Sequence, residues 1–130
     1  MKILVKTALL GAALVWSASA YAAGDAAKGQ ATFNSKCKMC HAVGATAKAG
    51  VGPVQNNLIG ATAGSRAGFN YSPAMKEAGE KGMVWTEENV GKFLENPKAV
   101  VAGTKMAFPG LKEAQDRDDV IAFLKTQTGQ

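Results

Sequence analysis

Cys37-Lys38-Met39-Cys40-His41 decides how this chain is read. Both cysteines of the sequence and its one histidine lie inside these five residues. The order is C-x-x-C-H, the attachment signature of a c-type haem. Two thiols three positions apart near a helix end can each add to a vinyl group of one porphyrin as thioethers. His41 then lies under the ring and offers an imidazole nitrogen to the iron. One covalent haem c per chain is expected, held by Cys37 and Cys40, with His41 on the metal.

Two other uses of such a pair fit less well. A zinc site needs four ligands, usually Cys or His, and the chain has three such residues, all crowded together. A dithiol redox pair belongs in a βαβ context, and no strand pattern lies nearby.

Upstream, Met1 to Ala22 reads as a secretory signal. Lys2 and Lys6 form a positive start, Leu9 to Trp16 a short apolar stretch, and small residues follow. Ala20-Tyr21-Ala22 places cleavage before Ala23; Ala18-Ser19-Ala20 would place it before Tyr21. The apolar run is short of the ~20 residues that span a bilayer, so no stable membrane insertion is expected. Residues 23–130 remain as one small domain exported to the periplasm. Cysteines there usually pair as disulfides. Two at i and i+3 on a helix face are poorly placed for that, and haem attachment uses both.

Removing the signal takes Lys+Arg from fifteen to thirteen against ten Asp+Glu, a net +3. Two haem propionates would cut this to about +1. No basic cluster with interleaved aromatics is present, so nucleic-acid binding is not suggested. Lysines gather near the pentad (Lys36, Lys38, Lys48) and near a later loop (Lys98, Lys105, Lys112). Acids gather at Glu87-Glu88 and at Asp116, Asp118 and Asp119. Such an asymmetry can steer docking; an ordinary solvated surface is the other reading.

The elements are helical. Asp25 is an N-cap for a helix running to about Met39, with Ala26, Phe33, Cys37 and Cys40 on one face. From Ala42 to Phe69 there is no periodicity but much glycine. A structureless loop this long counts against a compact domain unless it wraps a cofactor. Pro53 in it could offer a carbonyl to the His41 N–H and fix the ring. Ser72-Pro73 starts a short helix to about Gly79 or Gly82. Thr86 caps a third through Glu95, stopped by Asn96-Pro97, and a short turn at Val100-Val101 follows. A last helix runs from about Gln115 to Thr126, burying Val120, Phe123 and Leu124, with an acid-rich first turn.

With one histidine, the second iron ligand is Met, Lys, an amine, water or nothing. Met39 lies between the cysteines and cannot reach the opposite haem face. Met75 sits in a helix and could be core filler. Met83 and Met106 occupy loops, and spacing alone does not choose between them; the Thr104-Lys105 and Phe108-Pro109 setting favours Met106.

Beyond the pentad, Gly52-Pro53, Asn57-Leu58, Gly68-Phe69-Asn70-Tyr71, Trp85-Thr86-Glu87-Glu88, Leu94-Glu95-Asn96-Pro97-Lys98 and Gly103-Thr104-Lys105-Met106 resemble class I cytochrome c. The match covers Asp25 to Leu124. The resemblance implies an all-α fold in which the first and last helices cross through Gly29, Phe33 and Phe123 and loops wrap one covalent haem. It implies Met106 as the distal ligand, Pro53 holding His41, and Tyr71, Trp85 and Thr104 bonding haem propionates, with Arg66 close by. Phe108 would pack at the exposed haem edge. Departures are Phe93 where mitochondrial relatives carry tyrosine, Met75 near a frequent asparagine, and Ala102 for a usual proline. The chain is also longer between Pro53 and Asn57 and between Tyr71 and Trp85.

The expected function is a soluble periplasmic electron shuttle, not an enzyme, with His/Met-ligated iron. A haem sensor or peroxidase-like protein with an open sixth site is the rival. By resemblance, a cytochrome bc complex would be the donor. A terminal oxidase, photosynthetic reaction centre or peroxidase would be the acceptor. Lys36, Lys48, Lys98, Lys105 and Lys112 could ring the docking edge, and a monomer is expected.

Overall fold

Gly29 lies so close to the backbone of residue 119 that a Cβ on it would stand 1.8 Å from the Asp119 carbonyl oxygen. This approach joins the first and last helices among the described residues. The computed structural model describes residues 23–129, which form five helices: α1 (Ala26–Lys36), α2 (Pro73–Glu80), α3 (Glu87–Glu95), α4 (Pro97–Val100) and α5 (Ala114–Lys125). The signal segment expected over residues 1–22 lies outside the described residues.

α1 packs on α5, and α5 packs on α3. At the first crossing the Phe33 and Phe123 rings stand 5.4 Å apart, tilted by 53°. Phe33, Val90, Phe93, Leu94, Val120 and Leu124 are buried among the three helices. Glycine at position 29 lets the backbones meet, and burial of the two rings helps to stabilise the crossing. The fold is all-α, as expected. Among the described residues the only β feature is an antiparallel bridge between Thr62 and Val84. It is backed by Trp85 N–H to Ala61 O at 2.8 Å and Ala63 N–H to Met83 O at 2.9 Å.

The caps explain where helices start. The Asp25 side chain accepts from the backbone N–H groups of Ala27 and Lys28, Ser72 from Met75, and Thr86 from Asn89. Pro73 stands in the first turn of α2, where no N–H is needed. Asn96 both ends α3 and caps α4, which begins at Pro97, earlier than the turn expected at Val100-Val101.

Three expectations are corrected. α1 stops at Lys36 rather than Met39. The N–H groups of Cys37 and Lys38 both bond to the Phe33 carbonyl, and those of Cys40 and His41 both bond to the Cys37 carbonyl. These shared acceptors tighten the chain into successive turns, so the cysteines sit beyond the regular helix rather than on its face. Asp119 is not a surface acid: it is 3 % exposed, because its carboxylate is turned inward to meet the start of α1. Of the α5 acids, only Asp116 lies in the first turn.

Candidate haem site

Residues 42–69 carry no helix and instead form one side of a cavity of about 830 Å³. Cys37, Cys40, His41, Pro53, Tyr71, Trp85, Thr104 and Met106 all line it. So do Phe33, Leu58, Leu94, Phe108 and Leu124, which make its wall largely apolar. Residues from both ends of the chain and the middle loops meet here because the α1–α5 crossing closes one side and the 61–63/83–85 pairing holds Trp85 on another.

The pentad side is built tightly. The His41 Nδ1 lies 2.8 Å from the Pro53 carbonyl oxygen. A Cβ on Gly52 would lie 2.4 Å from His41 Cε1, so only glycine lets the loop pass flat over the ring. Gly52 N–H in turn bonds to the Cys40 carbonyl at 2.8 Å. Burial holds the His41 pKa below the usual histidine value, against the opposing pull of the Pro53 carbonyl. A neutral imidazole is a metal ligand.

Cys37 and Cys40 are half-buried free thiols. Burial, and then the neighbouring Cys40, push the Cys37 thiol up to about 11. A dithiol exchange pair instead depends on a lowered thiol pKa.

On the loop side, Gly103 adopts a left-handed φ of 88°. A Cβ there would stand 3.2 Å from the Ala74 Cβ, so this loop lies against α2. Met106 N–H bonds to Thr104 Oγ1 at 3.3 Å, and Lys105 Nζ to the Asn70 carbonyl at 3.0 Å. Of the other methionines, Met39 stands at the cavity mouth with 92 % of its surface exposed. Met75 is buried and also lines the cavity, and Met83 is half-buried in the core away from it.

Around the polar end, Arg66 and Tyr71 line the same space. Burial raises the Tyr71 pKa, and the Arg66 charge partly offsets it. The Arg66 guanidinium donates to the Asn56 carbonyl. Trp85 packs edge-on to Phe93 with ring centres 5.0 Å apart. Of the five lysines expected at a docking edge, Lys36 and Lys105 line the cavity. Lys112 bonds to the Glu95 carbonyl at 2.8 Å.

Gln55 and Asn56 carried no sequence signal. Asn56 clasps Gly44 through two 2.8 Å bonds, and Gln55 Nε2 lies 2.8 Å from His41 Nδ1. Polar residues in a glycine-rich loop read as solvent-facing until the loop is folded back.

The chemistry of the wall fits a haem: two thiols beside a neutral imidazole, an apolar enclosure, and cationic and hydroxyl groups at one end. The comparisons agree. The Cytochrome c family model matches residues 26–128. Cytochrome c2 of Rhodomicrobium vannielii is 66 % identical over 126 residues, spanning 97 % of this chain and 98 % of that protein. Cytochrome c of Arabidopsis thaliana is 43 % identical over 105 residues, 81 % of this chain and 91 % of that one. The structure of cytochrome c2 from Rhodospirillum centenum superposes with a TM-score of 0.77 at 40 % identity, covering 81 % of this chain and 99 % of that chain. With the pentad, the cavity and these likenesses together, the chain belongs to the cytochrome c family, the class I cytochromes that bind one haem c covalently.

Proposed function

We propose that this protein is an exported electron carrier of the periplasm, made with a signal over residues 1–22 and working as the domain 23–130. In this reading the haem supplies a one-electron ferric/ferrous couple when bound. Cys37 and Cys40 hold it through thioethers, and His41 and Met106 hold its iron from the protein in both oxidation states. The observation that carries this is the shared cavity: the His41 ring, clamped by Gly52 and Pro53, and the Met106 thioether, on a loop pinned to α2, both border it.

The chain's own work is to hold and to exclude. Phe33, Leu58, Leu94, Phe108 and Leu124 keep water from the centre, and a dry wall disfavours the more charged oxidation state. Tyr71, Trp85 and Thr104, with Arg66 beside them, would take the propionates. No acid or base is asked of the chain, which fits a carrier rather than an enzyme. Exposed Lys36 and Lys105 at the cavity edge, with Lys48, Lys98 and Lys112, suit a redox partner with an acidic face. A cytochrome bc complex as donor, and an oxidase, reaction centre or peroxidase as acceptor, are partners of that kind. Contacts of this sort are small and wet, which accords with a monomer.

The test is optical. The oxidised holoprotein should show the weak far-red band of a methionine sulfur on ferric haem, and Met106→Ala should lose it. Its absence from the wild type would mean an open sixth position, as in a haem sensor or peroxidase.

A further inference from the structure

We propose that Gln55 is a positioning residue for the haem iron. Its side-chain amide forms a second hydrogen bond to His41 Nδ1, beside that of the Pro53 carbonyl, and thereby lowers the reduction potential. This rests on the reading of His41 as an iron ligand.

Three distances define the cluster. His41 Nδ1 lies 2.8 Å from the Pro53 carbonyl oxygen and 2.8 Å from Gln55 Nε2, and Gln55 Nε2 lies 3.3 Å from that same carbonyl. The amide is not placed there by its own side chain alone. Gln55 N–H bonds to the Ala42 carbonyl at 3.0 Å, and Asn56 is clasped to Gly44 on both its amide ends. The stretch after Pro53 is therefore laid back along the residues after His41, with Gln55 between two anchors.

The proton inventory decides what the amide does. A neutral imidazole carries one proton. When Nε2 gives its lone pair to a metal, that proton sits on Nδ1, which becomes a donor. Pro53 O accepts it. The Gln55 NH₂ group cannot accept, but the two ends of the amide are nearly the same size. A half-turn about its last torsion puts Oε1 where Nε2 stands; the amide gives up its 3.3 Å donation to the Pro53 carbonyl, and Nδ1–H is then shared between two carbonyl oxygens. Each acceptor draws the proton away from the ring and makes the imidazole a stronger donor to the metal. A stronger donor favours the ferric state.

The experiment compares holoprotein of the wild type, Gln55→Leu and Gln55→Met by equilibrium redox titration and by ¹H–¹⁵N NMR of the ferrous form. Both variants keep the bulk and remove the acceptor. Each should raise the ferrous-to-ferric ratio at fixed ambient potential, by up to about tenfold, which for a one-electron couple is about 59 mV. The His41 Nδ1–H signal should move upfield and exchange faster with water. Unchanged potentials together with an unchanged Nδ1–H signal would reduce Gln55 to a loop residue. A lowered potential would overturn the proposal differently, by showing that the amide donates to Pro53 and competes with the ring. If the oxidised wild type lacks the paramagnetically shifted ring protons of a ligated histidine, the reading of His41 itself fails. If they are present and the variants are silent, only the role of Gln55 falls.

Discussion

Asp25 and Asp119, 94 positions apart, are joined by a 2.7 Å hydrogen bond from the Asp25 backbone N–H to the Asp119 carboxylate. The Gln115 side chain donates to the same carboxylate oxygen at 2.8 Å. The start of α1 is thus capped twice, by the Asp25 side chain from within and by α5 from across the fold. These bonds, the Asp25 amide first and Gln115 second, hold the Asp119 carboxyl below its usual pKa.

The sign of the pH dependence follows. A carboxylate whose folded pKa is lowered stabilises the fold above the unfolded value of about 3.9, and that contribution disappears as pH falls through the folded pKa. Asp119→Asn should lower the Tm by several degrees at neutral pH, and the gap to wild type should close in acid. A gap that stays constant across that range would mean that shape, not charge, is what the site requires.

Gly29→Ala should destabilise the holoprotein by about 1–3 kcal/mol, the cost of overpacking a close contact. The new Cβ would meet the Asp119 carbonyl at 1.8 Å and the Phe123 Cβ at 2.9 Å, and backbone cannot swing aside as a flexible side chain can. Phe33→Ala, which empties the same crossing from the other side, should cost about 3–5 kcal/mol. Denaturant midpoints read both. Equal stability of Gly29→Ala and wild type would mean that the two helices slide apart without penalty.

Gly52→Ala tests the clamp on the histidine. Its Cβ would overlap the ring, at 2.4 Å from Cε1 and 2.7 Å from Nδ1. The ring must tilt or the loop must lift from Cys40. The expected result is a lower yield of haem-bearing protein and a weakened far-red band in what matures. Wild-type yield and spectrum would show that the loop has room to spare.

Charge reversal at the cavity edge tests docking. Lys36→Glu and Lys105→Glu should each slow electron transfer to an acidic redox partner, and the wild-type rate should fall steeply with added salt, as steered encounters do. Lys125→Glu makes the control. It breaks an exposed pair with Glu87 away from the cavity lining and should leave the rate nearly unchanged. A flat salt response would point to an apolar contact instead, for which exposed Met39 and Val51 are available at the same mouth.

The sequence by itself determined what depends on near neighbours. The pentad's spacing names a covalent haem because two thiols and an imidazole within a few residues can reach the two vinyl groups and the iron of one porphyrin. Asp25, Ser72-Pro73, Thr86 and Asn96-Pro97 mark helix starts because capping acts over two or three positions. A lone histidine means that any second iron ligand this chain supplies is of a different residue type. Only the tertiary structure decided what depends on residues that meet from far apart. The end of α1 at Lys36 is the local exception: Phe33 and Cys37 each take two N–H groups within residues 33–41, a competition that helical periodicity does not register. Asp119 looks like one surface acid among three until α5 is laid on α1 and its carboxylate finds the Asp25 amide. Gln55 is one polar loop residue until the chain folds back beside Ala42 and sets its amide against His41. The Asp119 and Gln55 contacts arise where the chain folds back on itself, and no short stretch contains both partners.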